Sequence, residues 1–359
     1  MTKKLSIIAS GLLLSTSVAF AADSIDGAFK EGTVTGTVDA YYENTNPDSG
    51  SDTGYSAGAV GITYETGSYM GLSAKVGFVG ATEINSENDS EFESAFTSNS
   101  IMSESNLTFA TDGISITAGR QAVGLEWAGD YHEALVASIT ALPDTSITLV
   151  YTDKVGVAGY DGIVDFVKVN DSKGAYIVEG TYSGVTGFEF TPYFYSVPDV
   201  SDSYGLKTVY SSDMFGATAH YAAASVDGTD DDSILALEAS TEVAGLTLAL
   251  GYIKTDKDGG ADDIGAGDDN ISPFEDGNYV YDVDAKTIYG VAGYSIAGLD
   301  LGLVYGETEY GSDKEKELNL TADYSFTDSF SGSLLYGNVS AEDSAEDYDK
   351  VLANLNYSF

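Results

Sequence analysis

The sequence predicts an all-β chain, a transmembrane antiparallel β-barrel of about 18 strands, on three observations. Apolar and polar residues alternate with period two in segment after segment. The connections alternate strictly between tight turns and long polar loops. The last alternating segment runs out to the final residue, Phe359.

Composition agrees. The 359 residues include Gly 41, Tyr 26 and Phe 15 but only Pro 5 and no cysteine, a β-rich profile with too much apolar content for general disorder. Without cysteine there are no disulfides, zinc-thiolate sites or thiol catalysis, so an exported chain must be stabilised by topology. The first residues are Met1-Thr2-Lys3-Lys4, then an apolar run from Leu5 to Phe20, closed by Ala19-Phe20-Ala21. This reads as a secretory signal peptide over residues 1–21; an anchor helix is the weaker reading, because the run is short for a span of ~20 residues. Cleavage after Ala21 removes Lys3 and Lys4 and leaves 13 of the 15 basic residues against 57 acidic ones, a net charge of −44. Such acidity excludes nucleic acid as a partner, since phosphate binding needs basic patches. Past residue 21 no run approaches the ~18 apolar residues of a membrane helix.

Residues 22–32 read as a short periplasmic segment and 33–359 as the barrel. In the first strand Val34, Gly36, Val38, Ala40 and Tyr42 share one face, and Thr35, Thr37, Asp39 and Tyr41 the other, the pattern of a strand with one apolar side. Met70, Leu72, Ala74, Val76 and Phe78 repeat it, as do Leu299, Leu301, Leu303 and Tyr305. The clearest case is Val351, Ala353, Leu355, Tyr357 and Phe359 against Asn354, Asn356 and Ser358. Strands are placed near 33–43, 54–65, 69–81, 102–112, 113–122, 131–141, 145–154, 174–183, 186–196, 202–212, 214–226, 232–242, 245–255, 285–296, 298–309, 315–326, 328–340 and 348–359. Most are long enough to cross a bilayer at a tilt, which takes ~9–11 residues; one miscounted hairpin would make the barrel 16-stranded.

Tight turns at Gly67-Ser68, Asp112-Gly113, 142–144, Gly184-Val185, Ser212-Asp213, Val243-Ala244, Ala297-Gly298 and Thr327 separate the loops 44–53, 82–101, 123–130, 155–173, 197–201, 227–231, 256–284, 310–314 and 341–347. Short periplasmic turns and long extracellular loops are what an outer-membrane barrel requires, and an even strand count brings both termini to the periplasmic side. Tyr41, Tyr64, Tyr69, Tyr151, Tyr182, Tyr210, Tyr252, Tyr324, Phe326, Phe330 and Tyr357 sit near strand ends, where aromatic rings form the interfacial girdles.

The stretches Ile116 to Gln121 (ITAGRQ), Ala141 to Leu149 (ALPDTSITL), Gly277 to Gly306 and Leu318 to Tyr336, with Ile25 to Glu43, resemble the OprD-like (Opr) family of outer-membrane porins. They span about a third of the mature chain, and the strand and loop layout extends the likeness over nearly all of it. The resemblance implies an 18-stranded barrel narrowed by inward-folded loops. Carboxylate-selective members of that family line the lumen with a ladder of basic residues. This chain departs from that pattern, since Arg120 is its only arginine and its lysines are scattered. The ending Tyr357-Ser358-Phe359 is similar to the signal by which barrel-assembly machinery recognises its clients.

Catalysis has little to stand on. His132 and His220 lie in different strands with no nucleophile, elbow or zinc signature beside them, and both read as solvated strand residues. Selection is more promising, because a loop folded into a pore sets its narrowest point. The resemblance makes the loop 123–130 the candidate, with Glu126, Trp127 and Asp130, following Arg120 and Gln121. Arg120 shares strand parity with the outward Ile114 and Ile116, so either Gly119 marks a bulge that re-aims it or Arg120 lies above the apolar band. The longer loops 155–173 and 256–284 could fold inward instead. The second carries Asp256, Asp258, Asp262, Asp263, Asp268 and Asp269 among glycines. That is a weak calcium signal in no EF-hand register, and a solvated acidic loop is the commoner reading.

The expected function is passive diffusion of small hydrophilic solutes and ions across the outer membrane of a Gram-negative cell, with a mild cation preference from the acidic walls. No cofactor is called for. Expected partners are outer-membrane lipid and lipopolysaccharide, the assembly machinery and the solutes themselves; a homotrimer would match other porins, although no interface can be read from the residues. The alternatives are a non-channel structural or adhesive barrel and a secreted calcium-binding repeat protein, for which no period is found.

Overall fold

In lipid every strand N–H and C=O must find a partner within the protein, so a sheet can cross only if it closes. The computed structural model describes residues 22–266 and 270–359, and in it the sheet closes. Its strands are β1 (Thr33–Pro47), β2 (Thr53–Glu65), β3 (Leu72–Ser86), β4 (Ser100–Thr111), β5 (Ile114–Ala122), β6 (Tyr131–Ile139), β7 (Thr145–Ala158), β8 (Ile163–Lys168), β9 (Ala175–Val185), β10 (Phe188–Val197), β11 (Ser201–Ser211), β12 (Phe215–Val226), β13 (Asp232–Val243), β14 (Leu246–Thr255), β15 (Lys286–Ile296), β16 (Leu299–Tyr310), β17 (Asp313–Thr327), β18 (Phe330–Ala341) and β19 (Tyr348–Ser358). Of these 19 strands, β8 pairs only with the upper end of β7, and β7 pairs onward with β9. The remaining 18 form the antiparallel wall, closed by β1 against β19 from Thr37↔Ser358 to Pro47↔Tyr348. The count of 18 therefore stands, and the 16-strand alternative falls away.

The period-two pattern decides which face meets lipid. Val34, Val38, Leu107, Leu237, Leu250, Ile288 and Leu355 are exposed on the outer face, whereas Asp39, Ala57, Ser103, His220, Asn319 and Asn354 are buried on the lumen side. Several predicted girdle aromatics lie outward, among them Tyr182, Tyr210, Tyr324, Phe326 and Tyr357, and Phe326 stacks on Phe330 at 4.9 Å. Tyr41 is the exception. It has the parity of Asp39 and is buried in the lumen, its hydroxyl donating to Glu43 at 2.8 Å.

Three short elements were not expected. Helix α1 (Ile25–Lys30) follows an N-cap in which Ser24 accepts from Gly27 N–H at 3.0 Å. It rests on the first periplasmic turn, where Gly67 N–H donates to Ala28 O at 2.8 Å and the Tyr64 hydroxyl to Phe29 O at 2.5 Å. Helix α2 (Asp89–Ala95) and β8 lie within loops read as irregular. Both are held by tertiary contact, which period counting over so few residues cannot register. The predicted signal peptide 1–21 lies outside the described residues. The C-terminus completes the closure: Phe359 N–H donates to Gly36 O at 3.0 Å, and Gly36 N–H to Phe359 O at 2.9 Å.

Leu250 lies midway along β14 and is 73% exposed on the outer face. Leu250→Arg is expected to destabilise the barrel in lipid by ~2–4 kcal/mol, read as a lower urea midpoint in vesicles. Thr218→Arg on the lumen face, used as the control, should cost far less.

Candidate functional site: inward loops and the lumen

The loop after β5 is a small hairpin that points into the barrel. Val123 N–H donates to Asp130 O at 2.9 Å and Leu125 N–H to Ala128 O at 2.9 Å, leaving Glu126 and Trp127 at the tip. Asp130 closes the base with φ +64°. Trp127, the only tryptophan, is 2% exposed. Its indole Nε1–H donates to the Tyr193 hydroxyl at 2.8 Å and its backbone N–H to the Tyr195 hydroxyl at 3.1 Å, both on the lumen face of β10. Tyr193 in turn shares a 2.7 Å bond with His220 Nε2 on β12.

Glu126 points the other way round the tip. Both its oxygens lie 2.8 Å from Lys207 Nζ of β11, and its backbone N–H donates to Glu179 Oε2 at 3.0 Å. Glu179 also accepts from the Tyr195 hydroxyl at 2.9 Å. One ammonium thus faces two carboxylates where little water reaches, and this network pins the hairpin to β9, β10 and β11.

Arg120 does not join it. The β4–β5–β6 register is unbroken at Gly119, so Gly119 makes no bulge and Arg120 keeps the outward parity of Ile114 and Ile116. Its guanidinium binds Glu133 on β6 at 2.8 Å and Met102 O at 3.1 Å, and lies 4.2 Å over the Phe166 ring of β8. It clasps the extracellular rim. The histidines also differ from expectation. His132 is 1% and His220 3% exposed, and His132 bonds Thr152 Oγ1 at 2.9 Å and Gly129 O at 2.7 Å. They are buried lumen residues holding loop and wall together.

The loop between β14 and β15 also folds inward and crosses the lumen. Ala266 N–H donates to Trp127 O at 3.0 Å, and Asn270 Nδ2 to Glu126 O at 2.7 Å. Gly265 has φ +84°, and a Cβ there would overlap the Trp127 Cβ, so only glycine permits this approach. Further on, Glu275 N–H donates to Asn319 Oδ1 at 3.0 Å, and Asp276 and Gly277 N–H donate to the two oxygens of Glu317 at 3.0 and 2.8 Å. Asp276 pairs with Lys350 of β19. The loop is tied to β11 at one end of its path, where Gly265 N–H donates to Ser203 Oγ at 3.0 Å, and to β17 and β19 at the other.

A third group of loops fills the opposite side. Phe92 of α2 stacks on Phe96 at 4.4 Å, and both meet the Tyr55 ring edge-on. The tip between β7 and β8 packs here too: the Tyr55 hydroxyl donates to Asp161 O at 2.6 Å, and the Tyr160 ring lies 5.4 Å from Tyr41. Burial holds the Asp161 carboxyl above its usual range, with Glu43 and Asp39 adding to the rise against its own backbone N–H. Glu275 is raised to about 7: burial is the main cause, Lys350 opposes it, and Asp276, Glu317 and Glu43 reinforce it. Glu43, Asp161 and Glu275, with Tyr160, thus form an acidic group between two apolar clusters. Sequence reading missed this group because its members come from two separate loops and a wall strand.

The aspartates read as calcium candidates serve the loop itself. Asp256 accepts from Asp258 N–H at 2.8 Å and Gly259 N–H at 3.4 Å, which holds its carboxyl below the usual range. Asp258 pairs with Lys257, and Asp263 N–H donates to Asp232 Oδ2 at 2.8 Å. The Asp262 carboxyl is raised by burial and by Asp263. Among the described residues no three acidic or histidine side chains converge as a metal ion would need; Asp268 and Asp269 lie outside those residues.

A closed antiparallel sheet with an apolar outer face, a polar lumen and loops sorted to one end defines a transmembrane β-barrel of the outer-membrane type. Its fold is that of solved channel structures. OccAB4 of Acinetobacter baumannii superposes with TM-score 0.76 at 16% identity, over 92% of this chain and 98% of that one. OpdO of Pseudomonas aeruginosa gives 0.77 at 13% identity, and OccAB2 of Acinetobacter baumannii 0.79 at 10%, each over 92% of this chain and 98% of the other. The resemblance to OprD-like porins thus holds in fold. No family model matches the chain, and no curated protein does.

Replacing Lys207 leaves Glu126 and Glu179 facing each other with no cation between them. Lys207→Gln is expected to cost ~3–5 kcal/mol, as for breaking a buried ion pair, and to loosen the hairpin. Trp127 reports this directly: acrylamide quenching of its fluorescence should rise several-fold over the parent protein.

Proposed function

We propose that the barrel is a passive diffusion channel for small hydrophilic solutes and ions, mildly selective for cations and narrowed by the hairpin of Glu126 and Trp127 and the crossing loop. The observation that carries this reading is the charge on the lumen face. The lysines there, Lys75, Lys207 and Lys350, are each committed to carboxylates: Lys75 lies 3.5 Å from Glu65 and from Glu104, Lys207 binds Glu126, and Lys350 binds Asp276. Further carboxylates on the same face, such as Asp39, Glu43, Asp300 and Asp323, have no lysine or arginine paired to them among the described residues. Negative potential in a narrow, low-dielectric channel concentrates cations and repels anions. A basic ladder would do the reverse.

The depth to which the loops fill the lumen favours a second reading, a barrel with a structural or adhesive role and no open path. Planar-bilayer recording of the refolded mature protein separates the two. Ohmic steps in symmetric salt, with a reversal potential shifted toward the cation potential in a gradient, support the channel. Folded, heat-modifiable protein that gives no steps supports the closed barrel, and an anion-shifted reversal potential removes the cation preference.

Glu275 gives the channel a pH dependence. As pH falls through about 7 it takes up a proton, and the passage loses one negative charge. Cation preference should weaken as pH falls through that range, and Glu275→Gln should lessen the change. The linkage sign follows from the ordinary value of 4.5. Between 4.5 and about 7 the folded chain holds a proton that the unfolded chain lacks, so this group's contribution to stability falls as pH rises through that window.

A further inference from the structure

On the outer wall two lysines face each other at the top of the apolar band. Lys254 stands two residues above Tyr252 near the end of β14, and Lys286 begins β15. They flank the loop 256–284, which puts them at the extracellular end, and they share the outward parity of Leu250 and Ile288. The register sets Lys254 directly opposite Lys286, where like charges repel. The neighbouring acids do not relieve them. Glu309, the register partner of Lys286, lies 2.6 Å from Lys314 of β17, and Glu307 binds Lys314 at 2.7 Å and lies 3.7 Å from Lys316. Asp284 approaches Lys286 only to 3.7 Å, and Asp256 accepts the N–H groups of Asp258 and Gly259. Lys254 makes no ion pair among the described residues.

Below these lysines the lipid-facing wall is hollowed. A groove of about 550 Å³ runs across β10 to β14, within the ~300–1,000 Å³ of ligand clefts. The register explains it. One row of partners runs Tyr210, Ala217, Ala239, Leu250, and the next contains Ala219 and Tyr252. Alanines thus form a floor between larger side chains, and Leu250 stands 73% exposed at the β14 end. Tyr252 closes that end, so the groove comes within two residues, ~7 Å, of Lys254.

We propose that this face of the barrel holds a phosphorylated glycolipid of the outer leaflet, the lipid A part of lipopolysaccharide, with a phosphate between Lys254 and Lys286 and an acyl chain in the groove. A phosphate there turns one repulsion into two attractions, and a lysine ammonium serves phosphate as a point charge. The groove alone would take any hydrocarbon chain and the lysines any anion. Side by side, they select an amphiphile with an anionic head. Lys314 and Lys316 sit on β17, three strand spacings or ~14 Å from β14. A disaccharide carrying two phosphates can reach both basic positions, whereas a single-phosphate head reaches one. Binding requires the barrel in its membrane and does not rest on an open channel.

The test titrates refolded mature protein, in uncharged detergent at physiological salt, with bis-phosphorylated lipid A and counts bound lipid by native mass spectrometry. The parent should bind it at least tenfold more tightly than lipid A stripped of both phosphates, and at least tenfold more tightly than phosphatidylglycerol. Lys254→Gln/Lys286→Gln should bind the phosphorylated lipid at least tenfold more weakly and the stripped lipid like the parent. Lys254→Arg/Lys286→Arg, which keeps the charge, should bind like the parent. Lys254→Gln alone removes an exposed side chain with no ion pair to lose; it should give an intermediate affinity, and it decides the matter if the double variant fails to fold. Ala217→Leu/Ala239→Leu, which fills the groove, should weaken binding of both lipids. Millimolar inorganic phosphate should leave the lipid in place. Equal binding of phosphorylated lipid A by the parent and the glutamine variants overturns the proposal, as does no binding by the parent. Phosphatidylglycerol bound as tightly as lipid A, or displacement by inorganic phosphate, overturns the choice of ligand, and undiminished binding by the groove-filled variant overturns the place of the chain.

Discussion

The structure depends on one seam, the pairing of β1 with β19. A sheet surrounded by hydrocarbon has no water to satisfy an open edge, and each unpaired backbone group costs several kcal/mol. The seam runs from Thr37↔Ser358 to Pro47↔Tyr348 and is finished by the reciprocal bonds between Phe359 and Gly36. With the edge removed, a chain without cysteine needs no staple. The alternation of residues along every strand then has only one arrangement that works, apolar outward and polar inward.

Closure also creates the problem that the loops solve. An 18-stranded wall encloses more volume than side chains can fill, and the large polar lumen would otherwise be unobstructed at its mouth. Loops from three places occupy it. They are fixed by a mixture of apolar burial, as with Trp127 and Phe274, and buried polar bonds, as with Glu179, Glu317 and Tyr195. The wall carboxylates that hold the loops accept backbone N–H groups that would otherwise be buried without partners. The same acidic residues that anchor the loops thus also place negative charge on the lumen wall.

Charge is distributed with a clear division of labour. Cations near the lumen are spent within pairs, at Glu65, Glu126 and Asp276, while Arg120 is kept at the rim against Glu133 and Phe166. The carboxylates at Asp300 and Asp323 face each other lower down, where the wall is not covered by loops. Paired and unpaired carboxylates thus both occur along the lumen, with lysine pairs at Lys75, Lys207 and Lys350 and carboxylates without a lysine or arginine pair, among the described residues, at Asp39, Glu43, Asp300 and Asp323.

Much of this could be read from the chain alone. Period two, sorted connections and the terminal strand determined the closed barrel, its strand count and which face meets lipid, because those features depend on local alternation and on the solvent outside the sheet. Gly119 and Arg120 show where such reading ended. Parity correctly put Arg120 outward, but only the rim contacts with Glu133 and Phe166 explain how a guanidinium is held there. Glu126 and Trp127 were legible as candidates, whereas Tyr193, Lys207, Glu275 and Lys350 were not, and Tyr41 was assigned to the girdle although it is packed in the lumen. The reason is physical. A strand's inside and outside are written in neighbouring residues, but which loops meet across the lumen, and which carboxylate finds a lysine, is set by the closed circumference, which brings together residues far apart in sequence.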